Sequence, residues 1–156
     1  MRVRIRWLSI LFYMLALSGC AGVHVNLRAT SDVNPDIRGV PSPIVITLYA
    51  LQSPELFDKA SYWALMQDPS GTLGASLLSM RQQILVPRET YEITFPQTPD
   101  LHAVGVIAAY QEISNARWKA SIVFHHLHQG GQKYLGESLK IIVGRSGLEI
   151  LPGGVL

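Results

Sequence analysis

The chain has 156 residues, 48% of them hydrophobic and 15% charged, with thirteen basic side chains against eleven acidic ones. That length holds one domain with a proper core and is short for two, and the near-balanced charge excludes the basic footprint of a nucleic-acid-binding protein. A single cysteine excludes an internal disulfide.

Arg2, Arg4 and Arg6 open the chain, and an apolar run over 7–17 follows with Ser9 as its one polar interruption. A basic start before a short apolar run is the layout of a secretion signal, and the run is about half of the roughly 20 residues that a bilayer-spanning helix needs. Next comes Leu17-Ser18-Gly19-Cys20, which resembles the bacterial lipobox. The resemblance implies that residues 1–19 are removed, that the Cys20 thiol takes diacylglycerol, and that the freed amine is acylated, with palmitate as a typical chain. Ala21, where an Asp would signal retention, implies transfer to the outer membrane in the enterobacterial sorting scheme. Each buried methylene contributes about 0.8 kcal/mol, so two or three chains anchor the protein effectively permanently. Residues 20–156 are then expected to form a single periplasmic domain. Without its three signal arginines it carries ten basic against eleven acidic side chains.

Apolar residues alternate over 23–29, the period of a half-buried strand. The stretch 31–43 gathers Asn34, Pro35, Asp36, Gly39, Pro41 and Pro43, residue types that set or tolerate turn angles. A structureless connection of about a dozen residues is at the upper end for a small domain and is usually functional. Its prolines restrict the backbone and so reduce the entropy lost on docking, with polar and charged side chains between them. Asn34, Pro35, Asp36 and Arg38 are therefore the candidate partner-binding residues, with Asn34, Asp36 and Arg38 as the exposed polar contacts.

Residues 44–51 are β-branched and apolar on both faces, which suits a central strand. Ser53 as cap, Pro54 at the first helical position and Glu55 in the first turn predict a helix presenting Leu56, Ala60, Trp63 and Ala64 on one face. Asp68-Pro69-Ser70-Gly71 is expected to stop it, and 73–80 to form a second short helix. From residue 82 onward the period becomes two: Gln83, Leu85 and the turn Pro87-Arg88-Glu89 lead into 90–95, where Tyr91, Ile93 and Phe95 share a face. Strands are predicted over 104–110, over 118–127 with Trp118, Ala120, Ile122 and Phe124 pointing one way, and over 138–143 and 148–151, joined at Arg145-Ser146-Gly147. The fold class is mainly β: a two-sheet sandwich with a short helical insert.

Chemistry does not assemble in the sequence. No Ser lies in a Gly-x-Ser-x-Gly elbow, Gly71-Thr72-Leu73-Gly74 lacks the Lys of a phosphate loop, and Cys20 is consumed by lipid. Trp63, Tyr91, Tyr110 and Trp118 are assigned to the core. The reading is a docking or structural protein, not an enzyme, with no cofactor and no metal. His125-His126-Leu127-His128 is the competing feature, because His126 and His128 share one side of a strand. The alternative it supports is an unrelated periplasmic lipoprotein that binds a metal or a small ligand; a further one is an unrelated envelope-stabilising lipoprotein.

Several landmarks recur in one order. They are the lipobox at Cys20; Asn34-Pro35-Asp36, Gly39 and Pro41-Ser42-Pro43 leading into Ile44-Val45-Ile46-Thr47-Leu48-Tyr49-Ala50-Leu51; Phe57 and Ala60; Pro87-Arg88-Glu89; and Val104-Gly105-Val106-Ile107-Ala108-Ala109-Tyr110 followed by Ala116-Arg117-Trp118-Lys119. Together they resemble the outer-membrane lipoprotein family of the bacterial type VI secretion system, known as TssJ, VasD or SciN. Val40 stands where the family pattern has a basic residue. The resemblance implies a transthyretin-like two-sheet sandwich with an added helical segment, lipid-anchored at the outer membrane and facing the periplasm. It implies as partner the periplasmic domain of the inner-membrane protein TssM, contacted in part through the loop between the first two strands, here 31–43.

Overall fold

Alternate apolar side chains make the first strand, β1 (Gly22–Ala29), bury Val23, Val25, Leu27 and Ala29 and leave His24, Asn26 and Arg28 in solvent. The computed structural model describes residues 22–124 and 138–153; the signal, Cys20 and the histidines at 125–128 lie outside them. After β1 come β2 (Ile44–Leu51), three short helices α1 (Glu55–Lys59), α2 (Tyr62–Gln67) and α3 (Pro69–Leu73), and a turn of 3-10 helix at Gly74–Ser76. Then follow β3 (Leu77–Leu85), β4 (Thr90–Pro96), β5 (Ala103–Ala108), β6 (Lys119–Val123), β7 (Ser138–Val143) and β8 (Leu148–Pro152).

The strands form two four-stranded sheets, β4-β1-β7-β8 and β3-β2-β5-β6. β1 runs antiparallel to β4 and parallel to β7. The inner faces meet in one apolar core of Val25, Leu27, Ile46, Leu48, Val104, Val106, Ile141 and Val143, among others, each fully buried. Side chains of this kind contribute roughly 1.5–3 kcal/mol apiece when taken out of water. The result is the mainly β, two-sheet sandwich that the period-two patterning predicts.

The helical insert departs from expectation in three ways, each with a local cause. A single helix over 55–67 would place Leu56, Ala60 and Trp63 inward, but Ala60 is extended and Ser61 starts a new helix by accepting a hydrogen bond from the Ala64 amide at 3.2 Å. The break resets the inward face, so Phe57 and Leu65 are buried, whereas Leu56 is exposed and Trp63 is 63% exposed. Trp63 and Tyr91 therefore stand at the surface; of the aromatics assigned to the core, Tyr110 is buried and Trp118 half-buried. α2 ends at Gln67 with Asp68 as its cap, as expected, but Pro69, Ser70 and Gly71 are themselves helical: the Asp68 carboxylate accepts from the Gly71 amide at 2.8 Å and starts α3. Residues 77–80, expected to be helical, belong to β3; Leu73, Leu77 and Met80 have helical spacing, but Leu77 pairs with Leu51 and Met80 with Tyr49.

The insert covers the outer face of the second sheet, where Phe57, Leu65 and Leu73 pack on Tyr49, Leu51, Ala103 and Ile107. Gly105 is what admits the Phe57 ring: a Cβ there would lie 2.7 Å from it. Lys119 fastens the end of α1, its Nζ donating to the carbonyls of Phe57, Asp58 and Ala60 at 3.2, 2.7 and 2.9 Å and so satisfying the acceptors that a helix leaves open at its C-terminus. Burial holds this ammonium below its ordinary value, with the Asp58 carboxylate acting in the opposite direction. Burial also pushes the Tyr49 hydroxyl, which donates to the Leu65 carbonyl, up to about 12.

Candidate functional site

Four connections meet at the end of the sandwich where β1 finishes: 30–43 between β1 and β2, 86–89 between β3 and β4, 109–118 between β5 and β6, and 144–147 between β7 and β8. Backbone hydrogen bonds tie them together. Thr30 donates to Val143, Arg88 donates to Thr30, and Ala29 donates to Glu89. Gly22 is at the opposite end of β1.

The loop at 31–43 has a buried base and an exposed tip. At the base, Val33 is fully buried in the core and Asn34, at a left-handed φ of 44°, is only 3% exposed. The Asn34 amide donates to the Pro43 carbonyl at 2.9 Å and its Oδ1 accepts from the Gln111 amide at 2.8 Å. Asn34 was expected to be an exposed polar contact; instead it closes the loop on itself and bolts it to the β5–β6 connection. Asn is suited to this because it tolerates positive φ and offers both donor and acceptor.

At the tip, Asp36 organises a tight reversal. Its Oδ1 accepts from the Arg38 and Val40 amides, both at 2.9 Å, its own amide donates to the Val40 carbonyl at 2.8 Å, and Gly39 supplies the φ of 82° that the turn requires. Oδ2 accepts from Arg38 Nε at 3.2 Å and Nη2 at 3.1 Å. The Val40 amide holds the Asp36 carboxyl below its ordinary range; burial acts in the opposite direction, and the Arg38 side chain and amide add to the lowering. Arg38 keeps 80% of its side chain in solvent while Asp36 keeps 20%. Of the three polar residues named from the sequence, only Arg38 is thus presented outward.

The feature that sequence reasoning missed is Ile37. It is wholly exposed at the apex, and Val40 beside it is half exposed. An isoleucine between Asp36 and Arg38 is its only trace in the sequence. Beside the loop a cleft of about 150 Å³ is lined by Asn34, Pro35, Tyr110, Glu112, Ala116, Arg145 and Ser146. Pro35 therefore forms a wall between loop and cleft. The Tyr110 hydroxyl donates to the Gly144 carbonyl at 3.2 Å, and burial pushes its pKa well up.

The folded pKa of Asp36 is lowered, so the order it gives the tip is fully present above the ordinary carboxylate range and is lost as the pH falls through that lowered value. In a nuclear magnetic resonance titration the Arg38 and Val40 amides are expected to move together at a pH below that of a free aspartate. Amides that titrate at the free value, or not at all, would contradict the assignment.

Among the described residues no three His, Cys, Asp or Glu side chains converge on a point that could hold a metal ion; the 125–128 histidines lie outside those residues.

Comparison with known proteins agrees with this architecture. The chain matches the family described as type VI secretion lipoprotein, with VasD, EvfM and TssJ, over residues 21–146. No curated protein matches it in sequence. Among solved structures it is similar to the type VI lipoprotein TssJ1 of Pseudomonas aeruginosa, at 25% identity and a TM-score of 0.77, covering 87% of this chain and 98% of that one. It is also similar to Serratia marcescens Lip, described as a membrane-bound component of the type VI secretion system, at 26% identity and a TM-score of 0.75, covering 86% and 99%. A chain in a structure described as the TssM C-terminal domain (869-1107) from EAEC shares the fold at 23% identity and a TM-score of 0.66, covering 85% and 98%. With the family match spanning most of its length and the two-sheet fold in common, the chain belongs to the type VI secretion lipoprotein family.

Proposed function

We propose that this lipoprotein is anchored in the outer membrane through lipid on Cys20 and docks the periplasmic domain of a TssM-like inner-membrane protein, as part of the type VI secretion membrane complex. The role is one of attachment and not of chemistry. The observation that carries it is polarity: β1 starts at Gly22, two residues after Cys20 in the sequence, and ends at the loop cluster, so the strand begins at the end of the sandwich opposite the loops. Eight strand residues span about 26 Å, which holds the exposed tip of Ile37, Arg38 and Val40 away from the lipid. The occurrence of the same fold in a structure described as a TssM domain supports the choice of partner.

Calorimetry of the lipidated chain in detergent against the periplasmic part of the TssM from the same cell tests the reading. Saturable binding is expected, and its absence would overturn the assignment. The anchor is tested separately: Cys20→Ser should leave the membrane fraction and take up no labelled palmitate, yet bind the partner in solution as the unmodified chain does, because the thiol serves attachment and not the core. Palmitate entering the variant would contradict the anchor alone.

A further inference from the structure

The two flanks of the sandwich are finished differently. On one, the edge strands β6 and β8 are five residues long and are stitched together through Arg117, which bridges to Gly147, accepts from the Leu148 amide at 3.0 Å and donates from Nε to the Leu148 carbonyl at 2.9 Å. On the other, the nine-residue β3 has β2 on one side and no strand on its other side among the described residues. Its outer face presents Leu78, Met80 and Ile84, which are 39%, 45% and 58% exposed. A long edge with no partner strand is a template for another strand unless something blocks it; here the Ile84 carbonyl accepts from the Gln83 side chain at 2.9 Å, a contact that an added strand would replace.

Arg81 is what stands in the way of indiscriminate pairing. It is paired with Leu48, whose side chain is wholly buried between the sheets, so Arg81 shares the inner face yet remains exposed at the open rim. Its guanidinium donates to the neighbouring Met80 carbonyl at 3.1 Å, and among the described residues it has no ion-pair partner. Two copies of β3 paired antiparallel about their midpoint would bring Arg81 against Arg81, and like charges directly opposite destabilise a strand pair. The same geometry favours a strand with an acidic residue at that point.

We infer that the β3 edge accepts an added strand from a protein partner: an extended segment with an acidic residue opposite Arg81, apolar residues three positions to either side facing Leu78 and Ile84, and residues one position to either side facing Met80 and Gln82. Main-chain hydrogen bonds hold such a strand, and alternate side chains select it. This surface runs along the flank and is separate from the loop end, so it does not rest on the TssM reading.

The test uses a fluorescent peptide, Val-Thr-Val-Asp-Val-Thr-Val, and its Lys-centred counterpart, titrated against the full lipidated chain in detergent. The Asp peptide should bind about fivefold or more tightly than the Lys peptide, the order should reverse for Arg81→Glu, and N-methylation of the peptide's alternate amides should abolish binding. Because Arg81 is exposed, the variant should keep the wild-type unfolding temperature, which separates loss of binding from loss of fold. Absence of binding, a preference indifferent to the charge at 81, or retention by the methylated peptide would overturn the inference. Sedimentation showing a wild-type dimer broken by Met80→Asp would also overturn it, making a second copy the occupant.

Discussion

Exchanging Ile37 for Asp is expected to weaken binding of the TssM-like periplasmic domain by more than tenfold while leaving the unfolding temperature unchanged. The two halves of that result have one cause: the side chain is entirely in solvent at the apex of a reversal whose shape is fixed by its neighbours, Asp36 and Gly39. Truncating a surface side chain of this kind shifts stability by less than about 0.5 kcal/mol, whereas an apolar anchor at the centre of an interface typically costs 2 kcal/mol or more. Asn34→Ala is the informative contrast. It leaves the Gln111 amide and the Pro43 carbonyl without partners, so it should lower stability by about 1–3 kcal/mol and lose affinity only through a loosened loop. Calorimetry paired with thermal unfolding separates the two; wild-type affinity in the Ile37 variant would move the contact surface elsewhere, first to the adjacent turn at Pro87-Arg88-Glu89.

The largest loss of stability is expected from Phe57→Ala. The ring is fully buried, lies against Tyr49 with centroids 5.3 Å apart, and fills the space that Gly105 leaves open. Removing it costs about 3–5 kcal/mol, which in a domain of this size lowers the unfolding temperature by roughly 10–15 °C. Because the cavity opens beneath the insert, the insert should loosen first, visible as faster amide exchange over α1 and α2 than in β1 or β7. A variant that unfolds at the wild-type temperature would show that the helices contribute nothing to the sandwich.

The strands were legible where one period governed one environment. β2, apolar on both faces, has its inner side in the core and most of its outer side under the helices, and the bounds read from its composition match the structure. Only the end of β3, from residue 82, was legible as period two, because an edge strand is wet on much of its surface. Ser79 and Arg81 break the alternation, while Leu73, Leu77 and Met80 offer a false helical spacing. The insert was misread for a different reason. Its inward residues depend on where one helix stops and the next begins, and that is decided by two hydrogen bonds at Ser61 and Asp68. At the loop, proline and glycine marked the backbone correctly, but the fate of Asn34 depends on Gln111, 77 residues away. No local pattern reports a contact of that separation, nor the reach of Lys119 to the end of α1.

The placement of β1 also has a mechanical meaning. A load applied between the start of β1 and the loop at the far end of the strand is carried along β1 itself. That strand is central in its sheet, paired along most of its length with β4 on one side and β7 on the other. Tension in this direction passes through the covalent backbone of a strand that is already extended, so neither ladder is peeled open as it would be if the load entered at an edge strand. If the chain links a membrane to a partner under load, as proposed, this arrangement resists extension without any added bond.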